Sequence, residues 1–390
     1  MHNMSPQRFK AKGQELGIEP MLLENASKAI QQIANVDTRL FPLLTLKHLS
    51  VVTGLPYGFL RNVVARKTVR YRHFYMKKKM PGRRNVRMIS IPEDRLLSCQ
   101  KWITQNILKF GPVHPSSFAY HPESNPVFAA RVHSNTQWLI KVDVRDFFHA
   151  VSEHKVYKVF RSLGYSKILS LELARLCTMP AERRTKGKDP NAKYPSTAIQ
   201  YYNTPTVGIL PQGAPTSPML SNLVMREVDE HLAKLAANSG MRFTRYADDI
   251  VFSCTDERDR KSLNLVKRNI LSILSKNGFR PNLRKTVMRG PGDRKIVLGV
   301  LVDSSQPKLT REYKDLIRLH LHYLTHPDFG PAKHADARKT SIARIYHHVF
   351  GTICWARAVE PKFGSAALVR FNLIDWPPIV KPTYYSIRTE

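Results

Sequence analysis

Arg245-Tyr246-Ala247-Asp248-Asp249-Ile250-Val251-Phe252-Ser253 sets two adjacent carboxylates among β-forming residues. Residues 243–253 therefore read as a hairpin with Asp248 and Asp249 at its turn. Side by side, the two charges repel unless cations lie between them. Two divalent ions about 3.5 to 4 Å apart would relieve that repulsion and clamp the attacking and leaving oxygens of a phosphoryl transfer. A plain surface turn accommodates Ala247-Asp248-Asp249 equally well, so the neighbouring segments must decide.

Upstream, Trp138-Leu139-Ile140-Lys141-Val142-Asp143 is a short apolar run that reads as a buried strand ending in a carboxylate. It continues as Val144-Arg145-Asp146-Phe147-Phe148. Between the two acidic sites lies Gly208-Ile209-Leu210-Pro211-Gln212-Gly213-Ala214-Pro215-Thr216-Ser217-Pro218-Met219-Leu220-Ser221-Asn222, and beyond them Gly278-Phe279-Arg280-Pro281-Asn282-Leu283-Arg284-Lys285-Thr286. Apolar periodicity predicts helices over 15–35, 43–51, 58–65, 95–110, 217–238, 259–277, 309–324 and 338–357. Residues 70–92 read as a hairpin with Lys77, Lys78 and Lys79 at its basic tip, 182–193 as an exposed basic loop, and 296–303 as one more strand.

The chain has 390 residues, 42% of them apolar, enough for a packed core of two or three lobes. Lys and Arg number 62 against 30 Asp and Glu, a net charge of +32 that calls for a polyanionic partner, nucleic acid first. Cys99, Cys177, Cys254 and Cys354 lie far apart with no C-x-x-C pair, which argues against a zinc ribbon or disulfide framework and for a reducing compartment, the cytoplasm by default. Neither a signal peptide nor a membrane span is expected.

Taken in order, the two acidic segments, the 208–222 stretch and the 278–286 stretch resemble the motifs of reverse transcriptases, most closely the short, intron-like bacterial retron-type branch, from about Leu46 onward. Tyr71-Arg72-His73-Phe74-Tyr75 before Arg87 resembles the first motif of that family and Gln100-Lys101-Trp102-Ile103 its second. Ala129-Ala130-Arg131-Val132-His133 keeps the Ala and His of the Asn-Ala-x-x-His element and lacks its Asn, and Val297-Leu298-Gly299 stands where Val-Thr-Gly is expected. Those departures bear on subtype and RNA recognition.

The resemblance implies an α+β right-hand polymerase fold with fingers, a palm of antiparallel sheet plus helices, and an α-helical thumb. Residues 1–45 would be a helical N-terminal extension, 46–304 fingers and palm, and 305–390 thumb and tail, with no room after Ser304 for a maturase, endonuclease, RNase H or integrase domain. Asp143, Asp248 and Asp249 would be catalytic and, with Val144, would bind two Mg²⁺ ions, or Mn²⁺ in their place. Arg87, Phe148, Gln212, Gly213 and Lys285 would bind substrate. Nucleic acid would meet Lys77, Lys78, Lys79, His133, Arg338, Lys339 and Arg344.

Each residue also has an ordinary alternative. Gly213 either lets backbone approach a base pair or is a turn glycine. Phe148 either blocks a 2′-hydroxyl or packs in the core, a part that suits Phe147. The lysine tip and the basic helix face are either phosphate contacts or solvated surface, and His133 either contacts RNA or is simply packed.

The function implied is RNA-directed DNA synthesis from dNTPs, copying a dedicated structured non-coding RNA into RNA-linked single-stranded DNA (msDNA) in anti-phage defence. An effector protein and host RNase H would be partners. The alternatives are another defence-associated or group II intron-like reverse transcriptase, or an inactive RNA-binding scaffold.

Overall fold

The computed structural model describes residues 6–77, 86–181 and 207–378. Two compact units divide the chain. The first comprises Met1–Ser124, Lys141–Ile250 and Arg260–Val287, and the second Asn125–Ile140, Val251–Asp259 and Met288–Glu390.

In the first unit, α1 (Pro6–Glu15) and α2 (Pro20–Val36) replace the single helix expected over 15–35. Gly17 at φ +70° and Pro20 at the start of α2 make the break. Helices α3 (Leu46–Thr53) and α4 (Tyr57–Val64) follow, α3 capped by the Thr45 hydroxyl, which accepts from the His48 N–H. Strands β1 (Tyr71–Lys77) and β2 (Val86–Pro92) form the expected antiparallel hairpin, Tyr71 opposite Pro92 and Lys77 opposite Val86. Lys78 and Lys79 of its tip lie outside the described residues, as does the basic loop 182–193. Next come α5 (Asp94–Asn106) and the short α6 (Pro126–Arg131), which belongs to the second unit.

Strand β3 (Trp138–Asp143) has the predicted bounds. Two unpredicted helices, α7 (Glu153–Ser162) and α8 (Lys167–Cys177), lead to the two-residue strands β4 (Met179–Pro180) and β5 (Gly208–Ile209), which pair antiparallel. Buried Glu153 ties this corner together. It accepts from Arg66, Arg175 and the Gly208 N–H, so a charge taken out of water is met on three sides. Helix α9 (Ser217–Asn238) spans the predicted residues, and β6 (Arg242–Tyr246), β7 (Asp249–Cys254), α10 (Arg260–Lys276) and β8 (Val287–Arg289) follow. The four-stranded sheet runs in the order β6-β7-β3-β8, so the strands carrying the two acidic segments are neighbours.

The second unit is built on helices. The run 296–303 is not one strand: β9 (Ile296–Val297) turns back into β10 (Val300–Leu301) through Leu298 and Gly299, both at positive φ, and β11 (Lys308–Leu309) pairs on the far side. Helices α11 (Arg311–Thr325), α12 (Gly330–Ala337), α13 (Ile342–Val359) and α14 (Pro361–Asn372) complete it. Ile345, Val349 and Ile353 recur four residues apart on α13 and pack with Ile317, Leu321, Leu324 and Phe371. Each such side chain stabilises by about 1.5–3 kcal/mol on burial.

His320 is fully buried among these helices, its Nδ1 3.0 Å from His334 Nε2. Burial, then the charges of Arg338, His334 and His348, push its pKa from 6.5 down to about 4. A folded pKa below the unfolded one means that the unfolded chain binds the proton more readily, so stability is lost as pH falls from 6.5 towards 4. Thermal unfolding across that range should show His320→Gln with a flatter pH dependence than the parent. An unchanged slope would show that His320 does not titrate as described.

Candidate active site

Three stretches of the first unit meet at one pocket. Lys141 and Asp143 are two apart on β3 and project to one side of the sheet. Asp249 opens β7, and Asp248 sits in the β6–β7 turn after Ala247, whose φ is +57°. Main-chain bonds fix both neighbours of β3: the Val144 N–H donates to the Asp248 carbonyl (3.1 Å) and the Asn282 N–H to the Asp143 carbonyl (2.7 Å). Asp143 is then held by side chains, accepting from Asn282 Nδ2 at 2.9 Å and Lys285 Nζ at 2.8 Å. Lys141 Nζ donates to Asp249 Oδ2 at 3.0 Å. Lys141, Asp143, Asp248, Asp249 and Lys285 line a pocket of about 410 Å³.

Asp248 has no such lysine. Burial first, and the charges of Asp249 and Asp143 after it, push its pKa above the ordinary carboxylate value, while Lys285 acts in the other direction. Lys285 is correspondingly raised, chiefly by its hydrogen bond to Asp143. Among the described residues no ready-made group of three His, Cys, Asp or Glu ligands is assembled around one point. The three aspartates thus share a pocket without sharing a coordination point. Their chemistry nevertheless suits Mg²⁺ or Mn²⁺, because carboxylate oxygens are the donors these hard cations take. Ammonium groups already stand against two of them. Val144 is buried and apolar, so only its carbonyl can offer a donor.

A buried fork supports the turn. Arg245, fully buried, donates to both oxygens of Asp229 at 2.7 Å, to Asn222 Oδ1 at 3.0 Å, to Ser117 Oγ at 3.1 Å and to the Ala247 carbonyl at 3.1 Å. It thereby ties α9 to the residue before Asp248. Behind Asp143, Phe147 is buried against Phe279, as its core alternative predicts. Phe148 is half-buried beside the Tyr120 ring. Lys155 lies 3.9 Å from the Phe279 ring centroid and donates to the Asn277 carbonyl, and burial lowers its pKa to about 8.

Other predicted positions fall elsewhere. The Gln212 carbonyl accepts from the Ser90 N–H at 2.7 Å, and a Cβ on Gly213 would stand 2.9 Å from Ile89 Cγ2 with φ at +121°. The close approach that excludes a side chain at Gly213 is therefore to β2, a contact between protein segments. Arg87 is exposed on β2 opposite Met76. His133 corrects its expected contact with nucleic acid: it is fully buried and its Nδ1 lies 2.6 Å from Ser253 Oγ, so it is a packed histidine. Arg338 and Lys339 are exposed in the turn between α12 and α13, not on the helix expected from 338, whereas Arg344 is exposed in the first turn of α13.

Sequence reasoning assigned no role to Lys141, Asn282 or Tyr120. The i, i+2 spacing from Asp143 was a usable signal for Lys141. Nothing local marked Tyr120, whose phenol is raised by burial and then by Asp248.

The family model described as reverse transcriptase (RNA-dependent DNA polymerase) matches residues 76–304. Retron Ec86 reverse transcriptase of Escherichia coli is 28% identical over 279 residues, covering 72% of this chain and 78% of the relative. Retron Mx65 reverse transcriptase of Myxococcus xanthus is 28% identical over 320 residues, covering 82% and 69%. Retron Ec83 reverse transcriptase of Escherichia coli is 25% identical over 304 residues, covering 77% and 86%.

Proposed function

The chain belongs to the reverse transcriptase family of RNA-directed DNA polymerases and is of the retron type, and from that premise we propose that it copies part of a dedicated structured RNA into RNA-linked single-stranded DNA. The observation that carries the reading is the meeting of Asp143, Asp248 and Asp249 with Lys141 and Lys285 at one pocket.

Asp143, Asp248, Asp249 and the Val144 carbonyl would hold two Mg²⁺ ions, or Mn²⁺ in their place. Bound there, the ions would supply Lewis acidity to a primer hydroxyl and to the α-phosphate it attacks. The new P–O bond forms as the bond to the β-phosphate oxygen breaks, and pyrophosphate leaves. Lys285, standing at the mouth beside Asp143, and Arg87 on β2 would meet the triphosphate as cations. Phe148 would lie under the sugar and obstruct a 2′-hydroxyl, selecting dNTPs, while Gln212 and Gly213 shape the floor beside β2.

Residues 1–45 would form an extension, 46–304 fingers and palm, and 305–390 a thumb. Exposed Arg338, Lys339 and Arg344, with Lys77 to Lys79 at the hairpin tip, would bind RNA phosphates. The net charge of +32 supports a polyanionic partner of that size. No helix of the described residues is long and apolar enough to cross a membrane, and a cytoplasmic defence role with an effector protein and host RNase H completes the proposal.

Sequencing the nucleic acid that copurifies with the full chain tests it. RNA covalently joined to DNA is the expected result. Free complementary DNA would point to another kind of reverse transcriptase system, and RNA alone to a scaffold.

A further inference from the structure

Two of the three aspartates in the pocket are engaged by lysines, Asp143 by Lys285 and Asp249 by Lys141. Three carboxylates against two ammoniums leave the lining with one formal negative charge. Lys141 differs from Lys285 in how it is held. It projects from the middle of β3, a strand flanked on both sides in the sheet, and its side chain is only a quarter exposed. The strand fixes where the lysine stem starts, and its ammonium meets Asp249 at 3.0 Å. Asp249 is equally restrained at the first position of β7, its side chain also about a quarter exposed.

Resting on the two-ion reading above, we infer that Lys141 is a built-in counter-cation that neutralises Asp249 and competes with a divalent ion for that carboxylate, thereby setting the ion affinity of the pocket. The physical reasoning is short. An ion approaching Asp249 must either displace the Lys141 ammonium or sit beside it, and like charges at contact distance repel. Lys141 therefore weakens ion binding, although its position beside the aspartates suggests a supporting part. Its presence has a benefit in the same terms: without it, adjacent Asp248 and Asp249 would face each other with less compensation, and the turn that carries them would be strained by repulsion.

Mn²⁺ binding to the full chain without nucleic acid, counted by electron paramagnetic resonance of the free ion, tests the inference. Lys141→Gln and Lys141→Met should each bind Mn²⁺ roughly five-fold more tightly or better, the upper range for a partly exposed charge pair, and Lys141→Arg should bind as the parent does. The methionine keeps the aliphatic stem packed and guards against a loss caused by misfolding. Unchanged or weaker binding in both neutral variants would overturn the inference. Asp143→Asn and Asp248→Asn, measured alongside, separate the two levels. If they lose Mn²⁺ while the Lys141 variants match the parent, the counter-cation role alone falls. If they bind as the parent does, the ion site falls and the inference with it.

Discussion

Asp143→Asn and Asp248→Asn should each reduce dNTP incorporation on a primed RNA template by about a thousand-fold or more, while affinity for the RNA should change little. The size follows from losing a ligand to ions that supply several kcal/mol of transition-state stabilisation, since each 1.36 kcal/mol is about ten-fold in rate. The selectivity follows from where the charge is. On the proposed reading RNA affinity would come from phosphate contacts of exposed basic residues, and neither aspartate is among them. Asp143→Asn has a further consequence, because its Oδ2 is the partner of Lys285 and the asparagine removes the charge that holds the ammonium there. Primer extension and filter binding, run on the same preparations, read the two quantities. Activity within a few-fold of the parent in either variant would remove the carboxylates from the chemistry.

Arg245→Met should destabilise the fold by about 3–5 kcal/mol, and Asp229→Leu should do the same, because each leaves the other charge buried without its partner. Both side chains are fully buried, so water cannot take over. The double variant should recover the part of the loss that comes from the unpaired charge, but not the part that comes from the Asn222 and Ala247 oxygens, which lose their Arg245 donor in both. Urea unfolding of the parent, the two single variants and the double variant measures the coupling directly. Single losses below about 1 kcal/mol would mean that the fork contributes no more than an exposed pair. The same substitution should also lower incorporation, because Arg245 holds the Ala247 carbonyl one residue before Asp248.

What could be read from the sequence follows from how one-sided each element is. Strand β3 is a short apolar run that ends in a charge, and α9 begins at a Ser-Pro pair, so both carry boundaries in their residues. Helix α8 carries none: from Leu169 to Cys177 every side chain is buried, including Glu172 and Arg175, and a helix wetted on no side shows no polar face to detect. The run from Ile296 to Leu301 is uniformly apolar, which hides the reversal at Leu298 and Gly299. At the site, the aspartates were legible because charge at a strand end is unusual on a core strand. Lys141 was overlooked as part of a strand, and Asn282 as part of a loop. The fork of Arg245 joins residues from three separate stretches and has no local trace at all.

Asp143, Asp248 and Asp249 acting jointly on divalent ions would concentrate a redox-active ion at their pocket. Localised backbone cleavage tests it most directly: Fe²⁺ is supplied in place of Mg²⁺ with ascorbate and peroxide, and the fragments are mapped by mass spectrometry. The prediction is two clusters of cuts, one beside Asp143 and one beside Asp248 and Asp249, both suppressed by excess Mg²⁺ and both lost in Asp248→Asn. Cuts elsewhere in the chain, or the same two clusters persisting in Asp248→Asn, would contradict it.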